Sequence, residues 1–505
     1  MAMTKRARVQ AVRSWLLPPI VQQVVHCLDT PTDALAFLHA APAEARDEAL
    51  DALMTLLTQD EHMWPDSDVC FFVNMDQEMV IKALPALRML WIYEEVGVAD
   101  FCRRSPLPPT ANVCAGVDDV LELRSMYGNW VPNVTDLSLG VDRAPLDSGV
   151  LRRELAACTK LTFLRIEWGD EMIDQGQMDA VMMAAAALWP RLSNLRLFSE
   201  TETTLQRCEH LVAWLTRPST RRFSLIYIDF PVRAAKALAH ALVASSTLRA
   251  IKLVFSHNVL AAFLDPSSPS LSRQLRHLSI HIDADWDYVP SLAAKLSSSA
   301  IKSFNLVSKV RHEVTPVMDA LPATLRRLKL SNVQIASFPL LAELEYLKLC
   351  NVPLTSDAVA GLTAALAAST TLVRLKLANA QLPDDQLQQL LCALPRCLSR
   401  QKSKCEVYLQ VTVVSEPLLI TALAQMRNTE QVAMTLSGGD ALNLAACQRL
   451  LTALSATSHM ELSLLPANWT SNDFAALDAY AALHHIPCLD DSYLSPSSTP
   501  WVALA

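Results

Sequence analysis

One short pattern recurs along most of this chain and leaves few folds open to it. Leu325-Arg-Arg-Leu328-Lys-Leu330, Leu344-Glu-Tyr-Leu347-Lys-Leu349 and Leu372-Val-Arg-Leu375-Lys-Leu377 all read L-x-x-L-x-L. Each ends in a short polar step: Ser331-Asn332, Cys350-Asn351 or Ala378-Asn379. Weaker copies begin at Leu87, Val134, Leu161, Leu192, Leu248, Leu275 and Ile301, and degraded ones lie near Tyr408, Met434 and Leu462. Roughly fifteen copies recur at a mean spacing of about 27 residues, the range in which one supersecondary unit stacks on the next. In L-x-L the two leucines share one face of a short strand, and the residue between them points the other way. The stretches 357–368 and 384–394 carry apolar residues every three to four positions behind an acidic start, the pattern of an amphipathic helix. A strand with its returning helix cannot bury its apolar side alone, whereas a stack of them buries it continuously. The expected fold is therefore an α/β solenoid, a parallel sheet on the concave side and helices on the convex side. The alternative is an all-helical solenoid of leucine-rich hairpins. The alternation of Lys and Arg with leucine at strand spacing argues against it.

With its full outer helices, this repeat resembles the ribonuclease-inhibitor-like class of leucine-rich repeats, over most of residues 85–470. The resemblance implies a horseshoe that presents its concave strands to a partner. Where that class usually places Asn or Cys, Val333, Val352 and Ala380 stand, with Asn one position earlier in each case. That departure, together with variable repeat lengths, points to an irregular arc.

Residues 1–62 read differently. Pro18-Pro19 is expected to open a helix through Leu28, because proline is tolerated in a first turn. Asp29-Thr30-Pro31 breaks it, and Thr32 or Asp33 is expected to cap a second helix. This segment resembles the front half of an F-box, with Leu17, Pro18, Val21, Val24, Leu28, Asp29, Asp33 and Leu35 at matching places. Ile20 departs from the acidic residue common there, and the later Cys and Trp of the motif are not recognisable after Ala40. The resemblance implies docking onto the small adaptor of a cullin-type ubiquitin ligase through Leu17, Pro18, Val21, Val24, Leu28 and Leu35. Read from the residues alone, the same helices serve equally as a cap on the first repeat, because solenoid ends need covering. The chain then divides into an F-box-like or capping module (1–62), the repeats (63–488) and a tail (489–505) whose Ser-Pro-Ser-Ser-Thr-Pro reads as loop or disorder.

The residue between the paired leucines faces the concave side. That column gives Arg165, Arg196, Lys252, Lys329, Lys348 and Lys376, flanked by Arg326, Arg327 and Arg374, with Tyr346 and Tyr227 as interleaved aromatics. Lys329, Lys348 and Lys376 come from successive repeats, so they should stand about 4.8 Å apart and repel by roughly 0.8 kcal/mol per pair in water. Such a ladder fits an acidic segment of a protein partner. The alternative reading is that Lys and Arg keep an exposed sheet soluble.

Charge and composition narrow the rest. A net charge of −8 gives no reason to expect generic nucleic-acid affinity. The basic start, Met1 to Arg8, lacks the apolar core of a secretory signal, and no apolar run approaches the ~18–20 residues of a membrane helix. The 12 cysteines form no framework, which suits a reducing cytoplasmic or nuclear setting and sets aside the sequons at Asn133 and Asn468. Asp283-x-Asp285-x-Asp287 opens like a calcium loop, but Tyr288 replaces its glycine and Ala294 its bidentate Glu. His484-His485-x-x-Cys488 lacks a partner pair at zinc spacing, and Cys392, Cys397 and Cys405 read as small core residues. No phosphate loop, nucleophile elbow or metalloprotease helix is visible. Neither a catalytic residue, a metal nor a cofactor is expected. The function read from the sequence is protein binding, as a ligase substrate receptor, as a free-standing scaffold or inhibitor, or as a small-GTPase regulator.

Overall fold

The computed structural model describes residues 17–504 apart from 94–96, 142–147, 170–174, 189, 284–287, 379–381, 383, 402–403, 411–415, 426–431, 440–441, 455–459, 467–468, 487 and 490–500. Asp285 and Asp287 of the calcium-loop pattern, Asn468, Asn379 and the proline-serine stretch of the tail thus lie outside the described residues. The chain forms two compact units, one up to Leu238 and one from Ala239.

In the first unit the strands are β1 (Asp66–Asp68), β2 (Met89–Ile92), β3 (Val113–Val117), β4 (Val134–Gly140), β5 (Phe163–Trp168), β6 (Asn194–Thr204) and β7 (Arg222–Asp229). Each pairs in parallel with the next in chain order. The second unit continues the same scheme through β8 (Ala250–Val254), β9 (His277–Ile282), β10 (Ser303–Ser308), β11 (Arg327–Ser331), β12 (Tyr346–Cys350), β13 (Arg374–Ala378), β14 (Cys405–Gln410), β15 (Val432–Gly439) and β16 (Met460–Pro466). Here too consecutive strands are parallel. Two short strands, β17 (Cys488–Leu489) and β18 (Trp501–Leu504), close this sheet in antiparallel fashion, with β18 against both β16 and β17. Trp501–Leu504, beyond the proline-serine stretch, thus pair as a strand that no copy of the sequence pattern marks.

The leucines do what their spacing demands. Leu328, Leu347 and Leu375 are directly in register on β11, β12 and β13, and all three are fully buried. Leu330, Leu349 and Leu377 form the next buried row. Burying each such side chain stabilises the stack by about 1.5–3 kcal/mol. Helices such as Ser356–Ala368 return the chain over this face and bury Val359, Leu362 and Leu366. Thr355 caps that helix by accepting from the Ala358 N–H, so the cap precedes the Ser-Asp pair. This arrangement is a leucine-rich-repeat solenoid of α/β class, and the parallel ladders exclude the all-helical alternative.

Three strands lie outside the copies read from the sequence, although β7 places buried Phe223 and Leu225 opposite Leu195 and Leu197. In β1 the buried position is Ser67, whose hydroxyl donates to the Met63 carbonyl at 2.7 Å. In β3 valine and alanine replace leucine. In β7 the left-handed Tyr227 (φ 57°) breaks the period-two alternation and lies outside the column that Ser224 occupies opposite Arg196.

The shifted asparagines have a structural reason. Asn332 and Asn351 end β11 and β12 in the left-handed region, φ 57° and 53°, which Asn tolerates better than most residues. Asn332 donates its side-chain amide to the Ser308 and Lys309 carbonyls of the preceding repeat, at 2.9 and 2.7 Å, and its N–H to Cys350 O of the next at 2.8 Å. It ties three repeats together from its own position. Cys397 and Cys405 are buried, and burial pushes their thiols up to about 11 and about 12. Cys392 is exposed, correcting its assignment to the core: it lies on the outer side of the helix Asp384–Leu398.

Candidate protein-binding surfaces

Leucine burial on one side leaves the other side of each sheet open, and its side chains are the candidates for contact. On the second unit Lys329, Lys348 and Lys376 are directly in register on adjacent strands, followed by Tyr408 on β14. The neighbouring row runs Arg327, Tyr346, Arg374, Glu406. The Lys329 ammonium lies 4.9 Å from the Tyr346 ring centre and that of Lys376 4.1 Å from Tyr408, while the Arg374 guanidinium is 5.8 Å from Tyr346. Each such contact at an exposed site is worth about 0.5–1 kcal/mol, comparable to the repulsion between neighbouring lysines. Among the described residues Lys348 makes neither an ion pair nor a ring contact. Arg374 pairs with Glu406.

Two residues of the expected surface are placed differently. Arg326 stands one residue ahead of β11 and pairs with Glu345 at 3.1 Å and Glu343 at 3.7 Å, so its charge is met within the chain. Lys252, on β8, is separated from Lys329 by Ser279 and Asn305, which hydrogen-bond to each other at 2.8 Å. The continuous ladder is thus three lysines long. Beside Lys252, burial and that lysine's charge push the His281 imidazole down to about 4.

On the first unit Arg165 and Arg196 are adjacent in register, as the column predicts. Both are half-buried, and desolvation depresses both guanidinium groups, with Arg196 adding to the effect on Arg165. Arg165 pairs with Glu167. The same face carries Asp136, whose carboxyl is raised by burial against a hydrogen bond from Thr135, and the stacked Trp91 and Tyr93, 6.2 Å apart. Its charge is mixed, which the residues between paired leucines do not by themselves show. Asp136 sat in view one position before Leu137, and Tyr408 lay in a degraded copy; extending the rows by register finds both.

The N-terminal helices show two faces. The helix Pro18–Val25 ends three residues before Leu28, and Thr30, rather than Thr32 or Asp33, caps the helix Pro31–Ala40 by accepting from the Asp33 N–H. Val21 and Val25 are fully buried, so Val21 is a core residue. Gln22 donates to Pro85 O at 2.5 Å, His26 bonds Ala86 O at 2.9 Å, and the Trp64 indole donates to Leu28 O at 2.9 Å. These bonds hold the helices onto the chain leading into β2, as a cap would be held. Leu17 (54% exposed) and Val24 (36%) face outward, while Pro18, Leu28 and Leu35 are half-buried.

No protein-family model matches the sequence, and no curated protein resembles it in sequence. Among solved structures the chain is similar to that of the Rad7–Elc1 complex of yeast, at 12% identity over 90% of both chains with a TM-score of 0.34. It is also similar to an internalin of Listeria monocytogenes, at 14% identity over 70% of this chain and 95% of that one with a TM-score of 0.33. The class of protein defined by the fold is that of leucine-rich-repeat proteins, and it rests on the strand registers themselves. No described helix is long and apolar enough to cross a membrane.

Proposed function

We propose that this chain is a non-catalytic protein-binding scaffold of the ribonuclease-inhibitor-like repeat class, whose second unit receives an acidic segment of a partner on its open sheet face. The observation that carries this reading is the registered row Lys329, Lys348, Lys376 with Arg327 and Arg374 beside it. Like charges side by side on a sheet work against folding, and an acidic partner is what recovers that cost. Reversing all three lysines to Glu tests it against a labelled oligo-glutamate peptide. Affinity should fall at least about tenfold and the salt dependence should flatten. Unchanged affinity refutes the assignment.

The N-terminal helices support a further role as the dock for a cullin-ligase adaptor, which would make the chain a substrate receptor. Their outward apolar residues, Leu17 and Val24, are free for it because the inward ones already cap the first repeat. Titration with purified adaptor decides: binding abolished by Leu17→Asp and Val24→Asp supports the receptor. Absence of binding by the unaltered chain leaves a free-standing scaffold, the reading favoured by the bonds to Pro85 and Ala86.

A further inference from the structure

The first unit contains a cleft of about 230 Å³ at the ends of β3, β4 and β5, lined in part by Tyr93, Gly116, Asp118, Gly140, Glu167 and Glu200. Glycine is scarce, 10 residues in 505, yet three of them, Gly116, Gly140 and Gly169, border this one space. At Gly116 neither the backbone nor the packing requires glycine. Its φ is ordinary, and an added Cβ would meet no atom within 4 Å. In the same row the next strands carry Ser138, Arg165 and Arg196. What glycine achieves at Gly116 is room. The strand is held there by buried Tyr127, whose hydroxyl donates to the Gly116 carbonyl.

The walls decide what the room suits. Tyr93 is 49% exposed and stacks on Trp91, presenting an aromatic face at one side. Glu167 is engaged by Arg165, but Asp118 and Glu200 have no ion pair among the described residues. Trp168 also borders the cleft. It is fully buried, and its indole N–H has no acceptor among the described residues. Phosphates and carboxylates are disfavoured by three carboxylates in so small a space. A guanidinium or ammonium group suits it, with the ring face on one side and carboxylates on the other.

We propose that this cleft takes the side chain of an arginine or lysine from a basic segment of a partner protein. The proposal shares with the preceding one only the premise that the open faces meet protein. It concerns the opposite charge and the other unit, so the two can fail separately.

The probe is a labelled tetra-arginine peptide, measured by fluorescence anisotropy on the full chain, with tetra-lysine as comparison. Gly116→Leu fills the space without changing charge, and its Cβ has room, so thermal unfolding should be unaltered. Binding should weaken about tenfold in that variant and somewhat less in Gly116→Ala. Asp118→Asn with Glu200→Gln should weaken it similarly and flatten its salt dependence. Lys348→Glu should leave this peptide's affinity within about twofold, while affecting oligo-glutamate. Three results overturn the proposal: no binding by the unaltered chain, binding indifferent to Gly116→Leu, or loss only with the charge variants. The last would mean that surface charge, rather than the cleft, attracts the peptide.

Discussion

Lys348→Glu should stabilise the fold while weakening the binding of acidic ligands, and this opposition of sign follows from the register. Lys348 stands between Lys329 and Lys376 on adjacent parallel strands, with no ion pair or ring contact of its own among the described residues. At a strand spacing of about 4.8 Å each like-charge pair costs roughly 0.8 kcal/mol in water. Reversing the middle charge converts two repulsions into two attractions, a swing of about 3 kcal/mol before screening. With a Debye length of about 8 Å at physiological salt roughly half survives, and the splay of exposed side chains reduces it again, to about 1 kcal/mol. The stack is stabilised locally, because repeats communicate mainly with their neighbours. Hydrogen exchange of peptides covering 325–378 is the appropriate assay. Strand amides that exchange by local opening should slow about fivefold at low ionic strength, and the gain should fade near 1 M salt, where screening shortens to about 3 Å. Exchange that quickened, or a gain indifferent to salt, would show that the lysines are not electrostatically opposed and that no cost awaits relief by a ligand.

Leu347→Ala removes a fully buried side chain from the middle of the inward row and should cost about 2–5 kcal/mol, read as a lower urea midpoint. Asn332→Ala should lose about 1–3 kcal/mol, because alanine both abandons the bonds to Ser308 and Lys309 and strains a left-handed φ, whereas Asn332→Gly, relieved of the strain, should lose less. His281 titrates near 6.5 when unfolded but near 4 when folded, owing first to burial and then to Lys252, so between those values only the unfolded chain takes up the proton. The stability present above pH 6.5 should therefore decline as pH falls toward 4, by about 2 kcal/mol, and His281→Gln should flatten that part of a pH-stability curve.

Sequence alone determined the repeating unit, since a parallel strand buried on one side must place leucines two apart and a polar residue between them. Thirteen parallel strands are legible in this way, and so are the inward rows of Leu328, Leu347 and Leu375. It could not reveal β1 and β3, where Ser67, valine and alanine satisfy the same fold without leucine, nor β7, where Phe223 and Leu225 fill the inward row but a left-handed Tyr227 then breaks the alternation. Burial and hydrogen bonding tolerate such substitutions when neighbouring strands supply the pairing. Nor could it show that Arg326 is spent on Glu345, that Tyr346 and Tyr408 receive the lysines, or that two helices present Leu17 outward while sinking Val21. Those outcomes depend on which side chains from distant repeats come within a few ångströms, and only the register and packing of the folded chain fix that. The glycine-floored cleft belongs to the same category, because its meaning lies in space between strands that no single repeat contains.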